Sequence, residues 1–300
     1  MKNTLLIFSY LFLLSSGLRS QNLEGIRSKI DSLLALKKAT VGIAISGVGK
    51  GDTLSYNGHK HFPMQSVFKF PVALAVLHEV QCGRLSLAQK VHINKDDLLP
   101  GLWSPLQKKY PKGVTLSLAE ILQYTVAWSD NVGCDVLLKL LGGPLTVEKY
   151  FHRLGFTDIA VKINEETMQS NWDLQFLNWT TPKEANTILK QFFTNANGLL
   201  SAPNYTFIWD LMKATKTGKN RLKGKLPTGT IVAHKTGSSG KHTKTNVIAA
   251  VNDIGIVFLP NGNYYLLSVF VANSKESFKT NEKIIADISK VVWNYFSKNK

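Results

Sequence analysis

The sequence predicts a mixed fold: an antiparallel sheet layered with helices from both ends of the chain, and an all-helical segment inserted between the stretches that build the sheet. Three changes of period carry this expectation. Helical spacing followed by alternation fills 23–45, helical spacing dominates from about 66 to 215, and alternation returns after Gly229.

Taken in order, Leu23, Ile26, Ile30, Leu33 and Leu34 recur as on one helical face, and Val41, Ile43 and Ile45 then alternate as in a strand. Helices are expected over 72–80, 118–126, 132–141 (closed by Gly142-Gly143), 146–154 and 182–193. Strands are expected over 230–234, 247–259 and 264–272, the last two joined by a Pro260-Asn261-Gly262-Asn263 turn. A closing helix carries Ile284, Ile285, Ile288, Val291 and Val292 on one stripe. This divides the chain into a discontinuous α/β domain, 21–62 with 214–300, and an all-helical domain, 63–213. A functional site is expected in the cleft between them.

The 300 residues are 44% hydrophobic, with Gly and Pro spread without a period, which excludes disordered, collagen-like and coiled-coil chains. The net charge of +16 rests mostly on lysine, with only five arginines, so it does not favour nucleic acid as a partner. Residues 1–20 have the form of a secretory signal peptide: basic Lys2, an apolar run from Leu5 to Leu14 too short to span a bilayer, and a small polar exit with cleavage near Ser20/Gln21. A periplasmic or secreted protein without a stable membrane anchor is expected. Cys82 and Cys134 read as two buried free thiols rather than a bridge.

His59-Lys60-His61 offers an H-x-H pair but lacks the further ligands a metallo-hydrolase adds nearby, so no metal is expected. G-x-S-x-G is absent as well. Ser-x-x-Lys occurs three times. Residues three apart share a helical face, so an unprotonated lysine amine can take the proton of the serine hydroxyl. Ser297–Lys300 lies in a polar tail and Ser238–Lys241 in a glycine-containing turn, whereas Ser66 opens the apolar run Val67–Val80 and Pro71 marks a helix just beginning. The same residues also fit an N-cap serine followed by a surface lysine. Ser129-Asp130-Asn131 occurs once, between two expected helices, and also fits a capped interhelical turn. Lys-Thr-Gly occurs at 216–218 in a polar connection and at 235–237, where it closes the strand 230–234.

The order Ser66-x-x-Lys69, Ser129-Asp130-Asn131 and Lys235-Thr236-Gly237 resembles the penicillin-recognising serine enzymes, and the spacings resemble a class A serine β-lactamase. Asn164-Glu165-Glu166-Thr167-Met168 is similar to the loop that carries the deacylating glutamate. The family's usual Arg and Asp staple of that loop are Ile163 and Asn178 here, and its usual Asn is Gln169. Asn164-Glu165-x-x-Met168, Trp103-Ser104-Pro105, Asp135 and Asn178-Trp179-Thr180 resemble the extended-spectrum, cephalosporin-favouring PER-type branch, which lacks the same staple and folds its loop differently.

The resemblance implies the serine β-lactamase/penicillin-binding fold and a monomer hydrolysing the β-lactam amide, without a cofactor, through a Ser66 acyl-enzyme. Lys69, or Glu165 through a water, would take the serine proton; Ser129 would protonate the leaving nitrogen; Glu165 would activate the deacylating water. Backbone N–H groups of Ser66 and Ser238 would form the oxyanion hole. Asn131, Lys235, Thr236, Gly237, Trp103 and Gln169 would contact substrate. Arg221, the one arginine after Arg153, would approach the substrate carboxylate beside Lys235, or lie solvated in its loop. The rival readings are a D-alanyl-D-alanine carboxypeptidase or penicillin-binding protein, and a non-hydrolytic β-lactam sensor.

Overall fold

The computed structural model describes residues 25–49 and 51–298; the expected export segment lies outside them. After α1 (25–34) the chain lays down β1 (Thr40–Ser46), β2 (Thr53–Tyr56) and the two-residue β3 (Phe62–Pro63). It then runs through α2 (Lys69–Gln81), β4 (Lys90–Ile93), α3 (Pro105–Lys109), β5 (Val114–Ser117), α4 (Leu118–Ala127), α5 (Asn131–Leu140) and α6 (Pro144–Arg153). Next come β6 (Ile159–Ala160), α7 (Glu165–Ser170), β7 (Trp179–Thr180), α8 (Pro182–Thr194) and α9 (Ala202–Lys213). β8 (Val232–Ser238), β9 (Ile248–Phe258), β10 (Tyr264–Ser274) and α10 (Phe278–Phe296) finish the fold.

The main sheet is antiparallel, in the order β2-β1-β10-β9-β8. Successive side chains of a strand face opposite ways, and β10 shows the consequence. Tyr265, Leu267, Val269 and Val271 pack with Ile26 and Ile30 of α1 and with Ile284, Ile285 and Ile288 of α10. Leu266, Phe270 and Ala272 join the opposite core, formed with α2, α4, α5, α8 and α9. Burial of a side chain of this size contributes roughly 1.5–3 kcal/mol, so both faces of the sheet are firmly held.

Helix starts follow local chemistry. Ser117 and Glu120 form a reciprocal capping box on α4, Thr181 caps α8 ahead of Pro182, and Ser277 caps α10. Two expectations shift. β8 does not stop at His234 but continues through Lys235, Thr236 and Gly237 to Ser238, paired along its length with β9. Both cysteines are free, but Cys82 caps the C-terminus of α2 at the surface and only Cys134 is buried.

Candidate active site

The Ser66 segment forms a 3-10 turn, Gln65–Phe68, that feeds directly into α2, so Ser66 sits one turn before the α-helix rather than at its cap. Neither helix start carries a side-chain cap there, and Lys69 is fully buried, which rules out the reading as a cap serine with a surface lysine. Gln65, just before Ser66, holds a left-handed φ of 48°. Its amide donates to Gln175 Oε1 at 2.8 Å, tying the serine turn to the segment after α7.

Lys69 Nζ uses all three of its protons. They go to Ser66 Oγ at 2.6 Å, to Asn131 Oδ1 at 2.9 Å and to the Glu165 carboxylate. The Lys69 and Glu165 side chains are 0% and 3% exposed, so this is a buried ion pair. Removing either partner of such a pair typically costs about 3–5 kcal/mol, because a desolvated charge is left behind. The adjacent Glu166 is exposed.

In Ser129-Asp130-Asn131 the capped-turn reading holds for Asp130, while Ser129 and Asn131 meet the two buried lysines. Asp130 is the cap of α5, accepting from Gly133 N at 2.8 Å, Leu106 N at 2.7 Å and Ser104 Oγ. Burial raises its carboxyl above the ordinary value against the pull of those donors. With Asp130 so held, Ser129 takes φ 59° and receives Lys235 Nζ at 2.8 Å, while Asn131 meets Lys69. Burial also pushes the Lys235 ammonium well below its usual value.

β8 is stitched to the serine turn. A Cβ on Gly237 would stand 2.3 Å from Met64 O, so only glycine permits the approach. Asn252 of β9 donates to Pro63 O at 2.8 Å and to Met64 O at 3.1 Å. The second Lys-Thr-Gly packs behind the first, with Thr217 Oγ1 2.6 Å from Thr236 Oγ1. Ser238, the last residue of β8, is exposed.

Arg221 is neither solvated nor open to the cleft. It is 4% exposed, and its guanidinium donates to Gly237 O at 3.0 Å, Asn252 O at 2.9 Å and Ser238 Oγ at 2.6 Å, and pairs with Glu282 at 3.2 Å. These bonds aim it at the β8 and β9 backbone. Gln169 is exposed on α7 and stands outside the hydrogen-bond net around Lys69. Trp103 is 54% exposed, braced by a hydrogen bond from its indole to Trp128 O and by the Lys108 ammonium 4.9 Å from its ring centre; its carbonyl accepts from Asn131 N. His61 stacks on Trp179 and His59 faces Lys183, so the H-x-H pair is engaged apart from the Lys69 cluster.

Asp135 and Asn178 have structural parts in the site that the motifs alone did not assign. Asp135 Oδ1 accepts from Glu165 N at 2.7 Å and Oδ2 from Glu166 N at 2.9 Å, anchoring the start of α7. Burial lifts its carboxyl to about 6. Asn178 closes the base of the loop where an ion pair was missing. Its Oδ1 accepts from Lys162 N at 2.8 Å and Ile163 N at 3.1 Å, and its Nδ2 donates to Ile163 O at 2.8 Å.

Residues 25–296 match the Beta-lactamase enzyme family. The chain is 50% identical to Beta-lactamase VEB-1 of Pseudomonas aeruginosa over 297 residues, covering 98% of each chain. It is 41% identical to Extended-spectrum beta-lactamase PER-1 of the same organism over 294 residues, 98% of this chain and 93% of that one. A crystal structure of a class A β-lactamase from Bacteroides cellulosilyticus superposes with a TM-score of 0.87 at 40% identity, covering 92% of this chain and 98% of the other. With this fold, this cluster and these relatives, the chain belongs to the class A serine β-lactamases, hydrolases of β-lactams, on the side of VEB-1 and PER-1.

Proposed function

We propose that this enzyme is exported, opens the β-lactam amide through an acyl-enzyme on Ser66, and favours cephalosporins. The observation that carries the mechanism is the single ammonium, Lys69 Nζ, in contact with Ser66 Oγ, Asn131 Oδ1 and Glu165 together. A proton moves from Lys69 to Glu165, and the neutral amine takes the proton of Ser66 as its oxygen attacks the lactam carbonyl. The backbone N–H groups of Ser66 and Ser238 receive the oxyanion, donors of a kind whose loss costs about 3 kcal/mol. The C–N bond breaks as the proton from Ser66, relayed through Ser129, reaches the lactam nitrogen. Lys69 and Glu165 return to ammonium and carboxylate, and Glu165 then activates the water that cleaves the ester.

Lys235 and Thr236 hold the substrate carboxylate, Trp103 walls the cleft, and Arg221 acts through β8 by fixing Gly237 and Ser238. The cephalosporin preference draws on the Asn164-Glu165-x-x-Met168 loop pattern and on the extended-spectrum relative PER-1. Export draws on Lys2 and the apolar run after it, and predicts a mature N-terminus near Gln21.

The test separates the adjacent carboxylates. After a cephalosporin pulse, intact-protein mass spectrometry should find a covalent adduct that persists in Glu165→Gln and clears in Glu166→Gln. Clearance at the wild-type rate in both would remove Glu165 as the base and refute this mechanism.

A further inference from the structure

Lys235 is fully buried, yet its ammonium donates to the Ser129 hydroxyl and the Thr236 carbonyl, both uncharged. Among the described residues no carboxylate forms a salt bridge with it; Glu165, the carboxylate in the same cluster, is engaged by Lys69. A buried ammonium without a compensating anion tends to lose its proton, and a neutral Lys235 would not grip a carboxylate.

A second buried charge lies on the other face of the same strand pair. Asp253 of β9 stands opposite Thr236 in the β8–β9 register, one residue from Lys235, and both it and His234 are 0% exposed. His234 Nδ1 bridges the two Asp253 oxygens at 2.9 and 3.0 Å, and Leu222 N donates to Oδ2 at 3.2 Å. His234 Nε2 is buried and has no hydrogen-bond partner. An unpartnered lone pair on a neutral ring costs far less than an unpartnered N–H on a buried cation, so this environment selects the neutral Nδ1–H tautomer. In that tautomer the ring brings no charge of its own to the dyad.

We propose that Asp253, oriented by His234, is the buried counter-charge across the sheet that keeps Lys235 protonated for binding the substrate carboxylate. His234 and Asp253 are thus positioning residues, acting through Lys235. The proposal rests on the reading of Lys235 as the carboxylate holder. Other charges share this neighbourhood. Lys223 and Lys216 lie in the connection after α9, and Asp253 favours the charged form of Lys223. Arg221 is bonded to Asn252 O beside Asp253; after burial, Lys69 disfavours the charged form of Lys235, while Glu165, Cys134 and, last, Asp253 favour it. Asp253 is the contributor on the far face of the sheet, outside the Lys69 cluster.

Asp253→Asn keeps an oxygen for the His234 N–H and removes the charge, while setting its own N–H against Leu222 N. The expected result is a raised KM and a basic limb of the kcat/KM–pH profile moved about one unit to lower pH, about a tenfold loss on that limb. The KM penalty should be present for a cephalosporin free acid and absent for its methyl ester, a contrast that a general packing defect would not produce. His234→Asn, which retains a side-chain N–H donor, should stay close to wild type in the same profile. A basic limb and KM unchanged in folded Asp253→Asn would overturn the proposal. Lys235→Ala tests the underlying reading separately, since an unchanged KM there would remove Lys235 as the carboxylate holder. The wild-type enzyme provides an arm independent of variant folding: 15N NMR of the imidazole should find His234 as the neutral Nδ1–H tautomer at pH 7. An imidazolium would cancel the Asp253 charge and equally overturn the proposal.

Discussion

Acidification should slow deacylation while, through the same group, stabilising the fold. The group is Asp135, which borders a cavity of about 520 Å³ behind α7 and accepts the N–H groups of Glu165 and Glu166, one per carboxylate oxygen. Its carboxyl is raised, chiefly by burial, from 3.8 to about 6. A carboxyl held above its unfolded value binds its proton more tightly in the folded state. Its contribution to stability is therefore fully present below about 3.8 and lost as pH rises through about 6. Between pH 7 and pH 5 this amounts to a gain of about 1.3 kcal/mol, or about 3 °C in Tm for a chain of this size.

Over the same interval the protonated oxygen becomes a poor acceptor and one N–H bond at the start of α7 loses its charge assistance. At the low end of about 1.5 kcal/mol for such a bond, deacylation slows about tenfold. Asp135→Asn places an N–H against one of the two donors at every pH. The variant should deacylate about tenfold more slowly at pH 7 and lack the wild-type change between pH 7 and 5, and its Tm should miss the acid gain. Single-turnover adduct decay by mass spectrometry and thermal melts at both pH values measure the two halves. Activity and stability falling together in the wild type, or an unaltered profile in the variant, would refute the reasoning.

Ser66→Ala should abolish nitrocefin turnover, a loss of about a millionfold in kcat, with the melting curve unchanged; Ser238→Ala, which retains the backbone donor, should be mild in the same assay. Arg221→Ala strands Glu282 and the Gly237 and Asn252 carbonyls, so both a raised KM for β-lactams and a loss of about 3–5 kcal/mol in denaturant unfolding are expected. An altered KM with unaltered stability would instead mean direct contact with substrate. Gly237→Ala forces a methyl against Met64 O, and burst kinetics should show slower acylation as β8 is pushed off the serine turn.

Strongly periodic elements were legible. The apolar run 264–272 and the helical stripe 284–292 correspond to β10 and α10: β10 is buried on both faces, and one buried face sets the stripe of α10. α9 was not read from its sequence because Asn204 occupies a buried position and bonds Leu77 O at 3.1 Å, which breaks the apolar rhythm. The sequence pattern closes β8 at His234 because charged Lys235 and polar Thr236 follow, and only tertiary cover buries them. Ser66, Lys69 and Ser129 were readable as motifs, whereas the grip of Asp135 and Asn178 on the Glu165 loop is made to backbone N–H groups. Side-chain identity carries little trace of such bonds, so the absent ion pair was visible in the sequence and its replacement was not.

The sheet joins strands from opposite ends of the chain: Thr40 of β1 lies against Ala272 of β10. The helices from α2 to α9 are laid down in between, before β8, β9 and β10 exist. β1, although among the first segments synthesised, has an unfilled edge until almost the whole polypeptide exists. Such long-range pairing is slow, and an apolar strand waiting for its partner is a target for aggregation. The Ser66 turn, which β8 and β9 brace, cannot take its final hold before those strands exist.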